Sequence, residues 1–258
     1  MPTNEELVRA IETSFHVYGP LPGKVEPLRI AGVRGRVTPI SHPIANLVGL
    51  ADLAPGAVET TVDQVRAAYG TKAFGWVVGP LTRPRELDAR LASSGFSGPE
   101  EIAGMALTDL AAPIAGGAAS VREVSREEAL AESEMVGRAY GLSTEVARFF
   151  LEIYFAPAGP RCRGYFASVD DRPVAWSFLV YLDPPLVLLG GAGTLPDHRG
   201  RGLYTALVAR RLADARADGR TAAVIQAARG TSAPICAKLG FKELCGLELF
   251  VAPSAAET

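Results

Sequence analysis

The stretch from Pro196 to Tyr204, PDHRGRGLY, stands between an apolar run, Leu186 to Leu195, and a long alanine-rich segment. The run before it, rich in Leu, Val and Gly, reads as a strand. After it, Leu203, Leu207, Val208, Leu212 and Ala215 fall on one helical face, and Gly219 stops the pattern. A strand therefore hands over to a helix through two arginines and two glycines. A helix start leaves four main-chain N–H groups without partners and carries about half a unit of positive charge. Together these make an anion site, and phosphate suits it. Gly200 and Gly202 have no Cβ, so a pyrophosphate can approach the main chain. Arg199 and Arg201 add charge and planar donors, and Thr205 adds a hydroxyl. In the preceding strand Gly190, Gly191 and Gly193 tolerate a bulge or the close approach of a ligand. Other phosphate motifs fail. There is no G-x-x-x-x-G-K-[ST], and Gly191, Gly193 and Pro196 break the register of a dinucleotide G-x-G-x-x-G.

Around this feature the periodicities give a consistent order. Ser120 to Val124 reads as a strand, and Ser125 with Glu128 has capping-box spacing for a helix that runs to about Tyr140 and ends at Gly141. Ser143 to Phe155 reads as a second helix, with Val146, Phe149, Phe150 and Ile153 on one face. Gly164 to Val169 and Val174 to Leu182 are strands joined through Asp170 to Pro173. After the long helix come a strand at Ala222 to Ala227, a short helix at Ala233 to Leu239 closed by Gly240, and a strand at Leu244 to Val251. The order is β-α-α-β-β-β-α-β-α-β.

The small, uncharged segment Pro113 to Ala119 reads as a junction, which divides the chain into domains 1–117 and 118–258. In the first region Asn46 to Leu53 and Phe74 to Val78 read as strands, and Val62 to Tyr69 and Arg85 to Ser94 as helices. The N-terminus, MPTNEELVRAIE, reads as an ordinary helix. The two regions echo one another. "RPRELDARLASSGFSGPEEIAGMAL" and "APICAKLGFKELCGLELFV" each give a Pro-started helix, a Gly-Phe pair and a strand, with Gly104 matching Gly246. The first copy has a longer helix, and nothing in its region matches the arginine–glycine stretch.

Composition excludes several classes. Hydrophobic residues are 48 % and charged residues 21 %, a globular balance, and a net charge of -2 offers no general attraction to nucleic acid or an anionic membrane. No apolar run approaches the roughly 20 residues of a membrane helix. The three cysteines, Cys162, Cys236 and Cys245, and the histidines His16, His42 and His198 fit no metal-ligand spacing. A cytoplasmic protein without a metal is expected.

The strand ending at Thr194-Leu195-Pro196 with Arg199-Gly200-Arg201-Gly202 resembles the [QR]-x-x-G-x-[GA] acetyl-CoA loop of GCN5-related N-acetyltransferases (the GNAT superfamily). The element order from about Ala119 to Pro253 is similar to that fold, and "TSAPICAKLGF" resembles the family's short helix beside the pantetheine arm. The resemblance implies an α/β fold with a mixed sheet and two tandem GNAT-like domains, the first a degenerate copy. It implies acetyl-CoA as co-substrate, held by main-chain amides at Arg199, Gly200, Arg201, Gly202, Leu203 and Tyr204, with the Thr205 hydroxyl beside them. Pantetheine would lie along Ala192, Gly193 and Thr194 like an added strand, an N–H there would polarise the thioester carbonyl, and Ser232 would touch the arm. The amine would attack directly, with no covalent enzyme intermediate.

The sequence also departs from the family. Tyr204 replaces a small loop residue, and Cys236 stands where many members have a tyrosine that protonates the departing thiolate. The strand LVLLGGAGTL has no carboxylate to act as a base; Glu152, Tyr154 and Glu248 are substitutes. The acceptor, a small-molecule or peptide amine, is not readable, though the aromatic stretch Tyr140 to Gly164 is a candidate wall. A homodimer is left open. Two other readings remain at this stage, a non-catalytic acyl-CoA sensor and a nucleotide-binding protein.

Overall fold

The computed structural model describes residues 1–18, 21–111, 119–252 and 254. The expected junction lies outside them apart from Ala119, as does Pro253. In the first region the N-terminal helix α1 (Asn4–Thr13) is closed by a capping box: Glu6 N–H donates to the Thr3 hydroxyl at 3.2 Å, and Thr3 N–H donates to the Glu6 carboxylate at 2.7 Å. Strands β1 (Glu26–Pro27), β2 (Arg34–Val37) and β3 (Leu47–Gly49) follow, then α2 (Val58–Tyr69), β4 (Phe74–Val78), α3 (Leu87–Ser93) and β5 (Ser97–Leu107). Strand β3 is shorter than the expected Asn46 to Leu53. Asn46 fastens the loop ahead of it by accepting from Thr38 N–H and donating to the carbonyls of Ile40 and Ala73. Behind it Leu50, at φ 49°, turns the chain out of the sheet.

The second region runs β6 (Ser120–Val124), α4 (Arg126–Ala131), α5 (Ser133–Tyr140), α6 (Thr144–Tyr154), β7 (Cys162–Val169), β8 (Arg172–Tyr181), β9 (Leu186–Thr194), α7 (Leu203–Ala217), β10 (Ala222–Ala228), α8 (Ser232–Lys238) and β11 (Lys242–Ala252). This is the expected order except that the first helix breaks at Glu132, whose φ of -95° and ψ of 20° leave the helical well. Asp170 and Asp171, at φ 49° and 60°, make a tight hairpin turn, so Pro173 lies inside β8 and not in the link. Every residue of the predicted α7 stripe is buried.

All the strands join one mixed sheet in the order β1-β2-β3-β4-β11-β5-β10-β9-β8-β7-β6. The order reads symmetrically about the β11–β5 pair. Strands β3 and β4 are parallel, as are β9 and β10, and the flanking pairs β2–β3 and β8–β9 are antiparallel. The two strands matched by the sequence echo are thus antiparallel neighbours at the middle of the sheet. Each has crossed over: β5 pairs with β10, and β11 pairs with β4. The matched Gly95 and Gly240 both have positive φ, 80° and 94°, and the phenylalanines after them are both buried. Among the described residues no helix is long and apolar enough to cross a membrane.

The two echoed glycines are not equivalent. A Cβ on Gly104 would lie 2.5 Å from the Cys245 sulfur and 2.8 Å from an Ile11 methyl, whereas one on Gly246 would meet only the end of Arg229 at 3.4 Å. Gly104→Ala should therefore lower stability by about 1–3 kcal/mol, the usual cost of overpacking, and Gly246→Ala by much less, as read from urea midpoints. A second expectation concerns His16, buried beside Arg36 and Arg34. Burial first, and the two guanidiniums next, bring its pKa down to about 3. Between its ordinary value near 6.5 and that level the unfolded chain binds the proton and the folded chain does not, so this contribution to stability is lost as the pH falls through that window. His16→Gln should flatten the dependence of the urea midpoint on pH between 7 and 4.

Candidate active site

Parallel pairing of β9 with β10 covers only Leu186, Val187 and Leu188 against Ala222, Ala223 and Val224, and the strands then part. The bend in β9 has a local cause. Its register with β8 shifts between Ser177 and Phe178, so that Gly191, at φ 28°, is an extra residue in a bulge. Arg211 of α7 holds this bulge from beneath. Its guanidinium is fully buried, and Nη1 donates to Phe178 O at 2.9 Å and to Gly190 O at 3.2 Å, on the two strands flanking the shift. Nε donates to Leu207 O at 3.1 Å. No carboxylate forms a salt bridge with it among the described residues, and burial lowers its pKa. A cation desolvated without a counter-ion is costly, and here it is compensated by carbonyl dipoles alone.

Where β9 and β10 part, a cavity of about 840 Å³ opens. Its wall brings together Ala192, Gly193, Thr194, Arg199, Gly200, Gly202, Leu203, Tyr204, Thr205 and Ser232, all named from the sequence. Arg201 is not in the wall. Gly200 and Gly202 have φ of 74° and 77°, a conformation that side-chain-bearing residues rarely adopt, and Gly202 caps α7 with no side-chain bond. The first main-chain bond of the helix runs from Ala206 N–H to Gly202 O at 3.0 Å, and among the described residues the N–H groups from Gly200 to Thr205 find no acceptor. The arginines brace the turn: Arg199 donates to Thr194 O and Arg201 to Asp197 O, both at 3.2 Å.

The thiol of Cys236 is buried, and burial raises its pKa. It does not reach the cavity wall. Tyr204 stands between them, its hydroxyl 3.5 Å from the Cys236 sulfur, and burial raises the phenol's pKa well beyond its ordinary value. At neutral pH that hydroxyl keeps its proton and can donate it. The Ser232 hydroxyl accepts from Ala228 N–H at 2.9 Å and fastens the start of α8. Of the three substitutes for a base only Tyr154 lines the cavity. Glu152 pairs with Lys24 and Arg148, and Glu248 lines a smaller cavity of about 390 Å³ beside β4.

Sequence reasoning missed the role of Tyr140. Its ring lies over Gly193, where a Cβ would be 2.6 Å away, and against Trp176 at 5.3 Å between centroids. Its hydroxyl accepts the Ala192 N–H at 2.7 Å, so one of the amides from Ala192 to Thr194, among which a partner for a thioester carbonyl is expected, is already engaged. The available signal was an aromatic residue at the end of a helix that packs on this strand. The first region meets the same geometry differently. Strands β3 and β4 also part after two residue pairs, but there the chain fills the gap with its own backbone. Arg83 N–H donates to Ala51 O at 2.7 Å, Leu53 N–H donates to Arg83 O at 3.0 Å, and the buried Glu12 carboxylate accepts Leu81 N–H at 2.8 Å.

No protein-family sequence model and no curated protein sequence matches the chain. The likeness is to solved structures. A GCN5-related N-acetyltransferase from Kribbella flavida superposes with a TM-score of 0.65 at 19 % identity, covering 91 % of this chain and 92 % of that one. A tandem GNAT protein from the clavulanic acid biosynthesis pathway gives 0.61 at 19 %, covering 91 % and 84 %. A GCN5-related N-acetyltransferase from Sphaerobacter thermophilus gives 0.61 at 15 %, covering 97 % and 93 %. With two symmetric halves, exchanged central strands and one open splay, the chain has the fold of the GCN5-related N-acetyltransferases in its tandem form.

Proposed function

We propose that the protein is an acetyl-CoA-dependent N-acyltransferase that passes its acetyl group directly to an amine. The observation that carries this reading is the run of unpartnered N–H groups from Gly200 to Thr205, opening onto the gap between β9 and β10. A diphosphate satisfies those donors and the helix dipole together. A pantetheine arm laid along β9 is the counterpart of the chain's own segment at Arg83 in the first half.

The chemistry then needs three things of this chain. The amine must lose a proton, and an ordinary lysine-like amine has a pKa near 10.4. A largely apolar wall desolvates the ammonium and favours the neutral form. The amine lone pair forms the N–C bond, and the carbonyl oxygen takes up negative charge. Tyr140 meets that charge: its oxygen accepts from Ala192 N–H, which leaves the phenol proton to donate onward. As the C–S bond breaks, the thiolate takes the proton of the Tyr204 hydroxyl; the proton lost by the amine passes to water, and water returns one to the Tyr204 phenolate, whose raised pKa favours its recapture. Tyr204 thus takes the part that the family resemblance had left to Cys236.

Two measurements test this. In calorimetric titration with acetyl-CoA, Gly202→Val should lose about 10-fold or more in affinity, since the new side chain meets both a strained φ and the face the diphosphate occupies. Arg201→Ala should lose far less, because its side chain braces the turn from outside the cavity wall. With bound acetyl-CoA carrying a ¹³C carbonyl, Tyr140→Phe should reduce the red shift of the carbonyl stretch and lower kcat by about 10²-fold with little change in acetyl-CoA affinity. A rise in kcat would instead mean that Tyr140 blocks the amide. Acetyl-CoA binding without transfer to any amine would favour a non-catalytic sensor.

A further inference from the structure

The far side of the cavity is built by both halves. Phe15, Tyr18 and Ile44 come from the first region, Ile102 from the exchanged strand β5, and Phe150 and Tyr154 from α6. Tyr18 and Tyr154 meet edge to face, 4.9 Å apart at 85°, and Tyr154 stacks on Phe178 at 3.9 Å. Exposed apolar surface is concentrated here. Among the described residues the large hydrophobic side chains more than a third exposed are Met1, Ile44 at 44 % and Tyr140 at 41 %, and the last two line this cavity. Charge is sparse by comparison. The Arg36 guanidinium is turned onto the carbonyls of Phe15, Ile44 and Ala45 and is not free for a ligand. Glu100, exposed, is the lone carboxylate in the wall among the described residues.

From this wall we infer that the acceptor is a primary amine with a single cationic group on an aromatic or apolar body. The inference rests on the N-acyltransferase reading and deepens it. A polycation such as a polyamine or an aminoglycoside brings several ammonium groups, and each must keep water or find a carboxylate. This wall offers one. An aromatic ring, in contrast, gains from the tyrosine and phenylalanine faces and covers surface that is otherwise wet. Glu100 takes the one ammonium on the solvent side, and the apolar interior favours its neutral form as it moves toward the thioester.

The test uses the full chain with phenethylamine, spermidine and kanamycin as probes, after calorimetric titration with acetyl-CoA. The expected result is a kcat/KM for phenethylamine at least about 10-fold above those of the other two, the discrimination that one apolar subsite supplies. Ile44→Glu, a change at an exposed position, should lower that value about 10-fold and leave acetyl-CoA affinity unchanged. Binding of acetyl-CoA with transfer preferentially to spermidine or kanamycin, or with none to phenethylamine, overturns the amine class and leaves the cofactor site standing. So does an Ile44→Glu variant that handles phenethylamine normally. Failure to bind acetyl-CoA at all removes the underlying reading and this one with it.

Discussion

Two parallel strands that pair for three residues and then separate make this molecule more than a sheet. Separation is unfavourable by default, because parted strands leave main-chain groups and apolar side chains unpartnered. Here it is imposed by the bulge at Gly191 and held by the Arg211 guanidinium, which bridges carbonyls on the two strands flanking the shift. The buried cation is the cost of this arrangement, and the bend in β9 is what it secures. Everything placed at the site follows from that bend. It opens the cavity, brings Gly193 and Thr194 to its wall, lets Tyr140 reach Ala192 N–H, and aims the start of α7 into the gap.

The symmetry of the sheet puts the same problem to the chain twice, with different answers. In the first half, the backbone around Arg83 bonds to Ala51 and Leu53 and closes the gap, with the Glu12 carboxylate behind it. In the second half the gap stays open, and the N–H groups from Gly200 to Thr205 at the start of α7 find no acceptor among the described residues. The first half is not idle, since Phe15, Tyr18 and Ile44 from it complete the cavity wall. The exchange of β5 and β11 ties the halves together. With each half's last strand hydrogen-bonded into the other, the wall that spans them is carried on a continuous ladder.

Much of the architecture was legible because its signals are local. The capping box at Ser125, the stripe from Leu203 to Ala215 and the Gly-Phe turns at Gly95 and Gly240 depend on residues within a few positions of one another. The arginine–glycine loop belongs to the same class: a helix start, two positive-φ positions and their flanking charges are all contiguous. Less was legible in the first region. Strands β1 and β2 are two and four residues long and lie among prolines, too short for alternation to register. The end of β3 at Gly49 turns on one positive φ at Leu50, which no residue preference announces.

By itself, then, the sequence determined the element order of the second region, the repeat and the contiguous loop with its free amides. Tertiary structure decided which groups share the cavity. Tyr140 and Ala192 are 52 positions apart, Tyr204 and Cys236 are 32 apart, and Arg211 reaches Phe178 across 33. Side chains so far apart are brought together by strand register and helix packing, which depend on the whole sheet. Only there does Tyr204, an oddity when read as a loop residue, line the cavity with its hydroxyl beside the Cys236 sulfur, while Cys236 itself is buried.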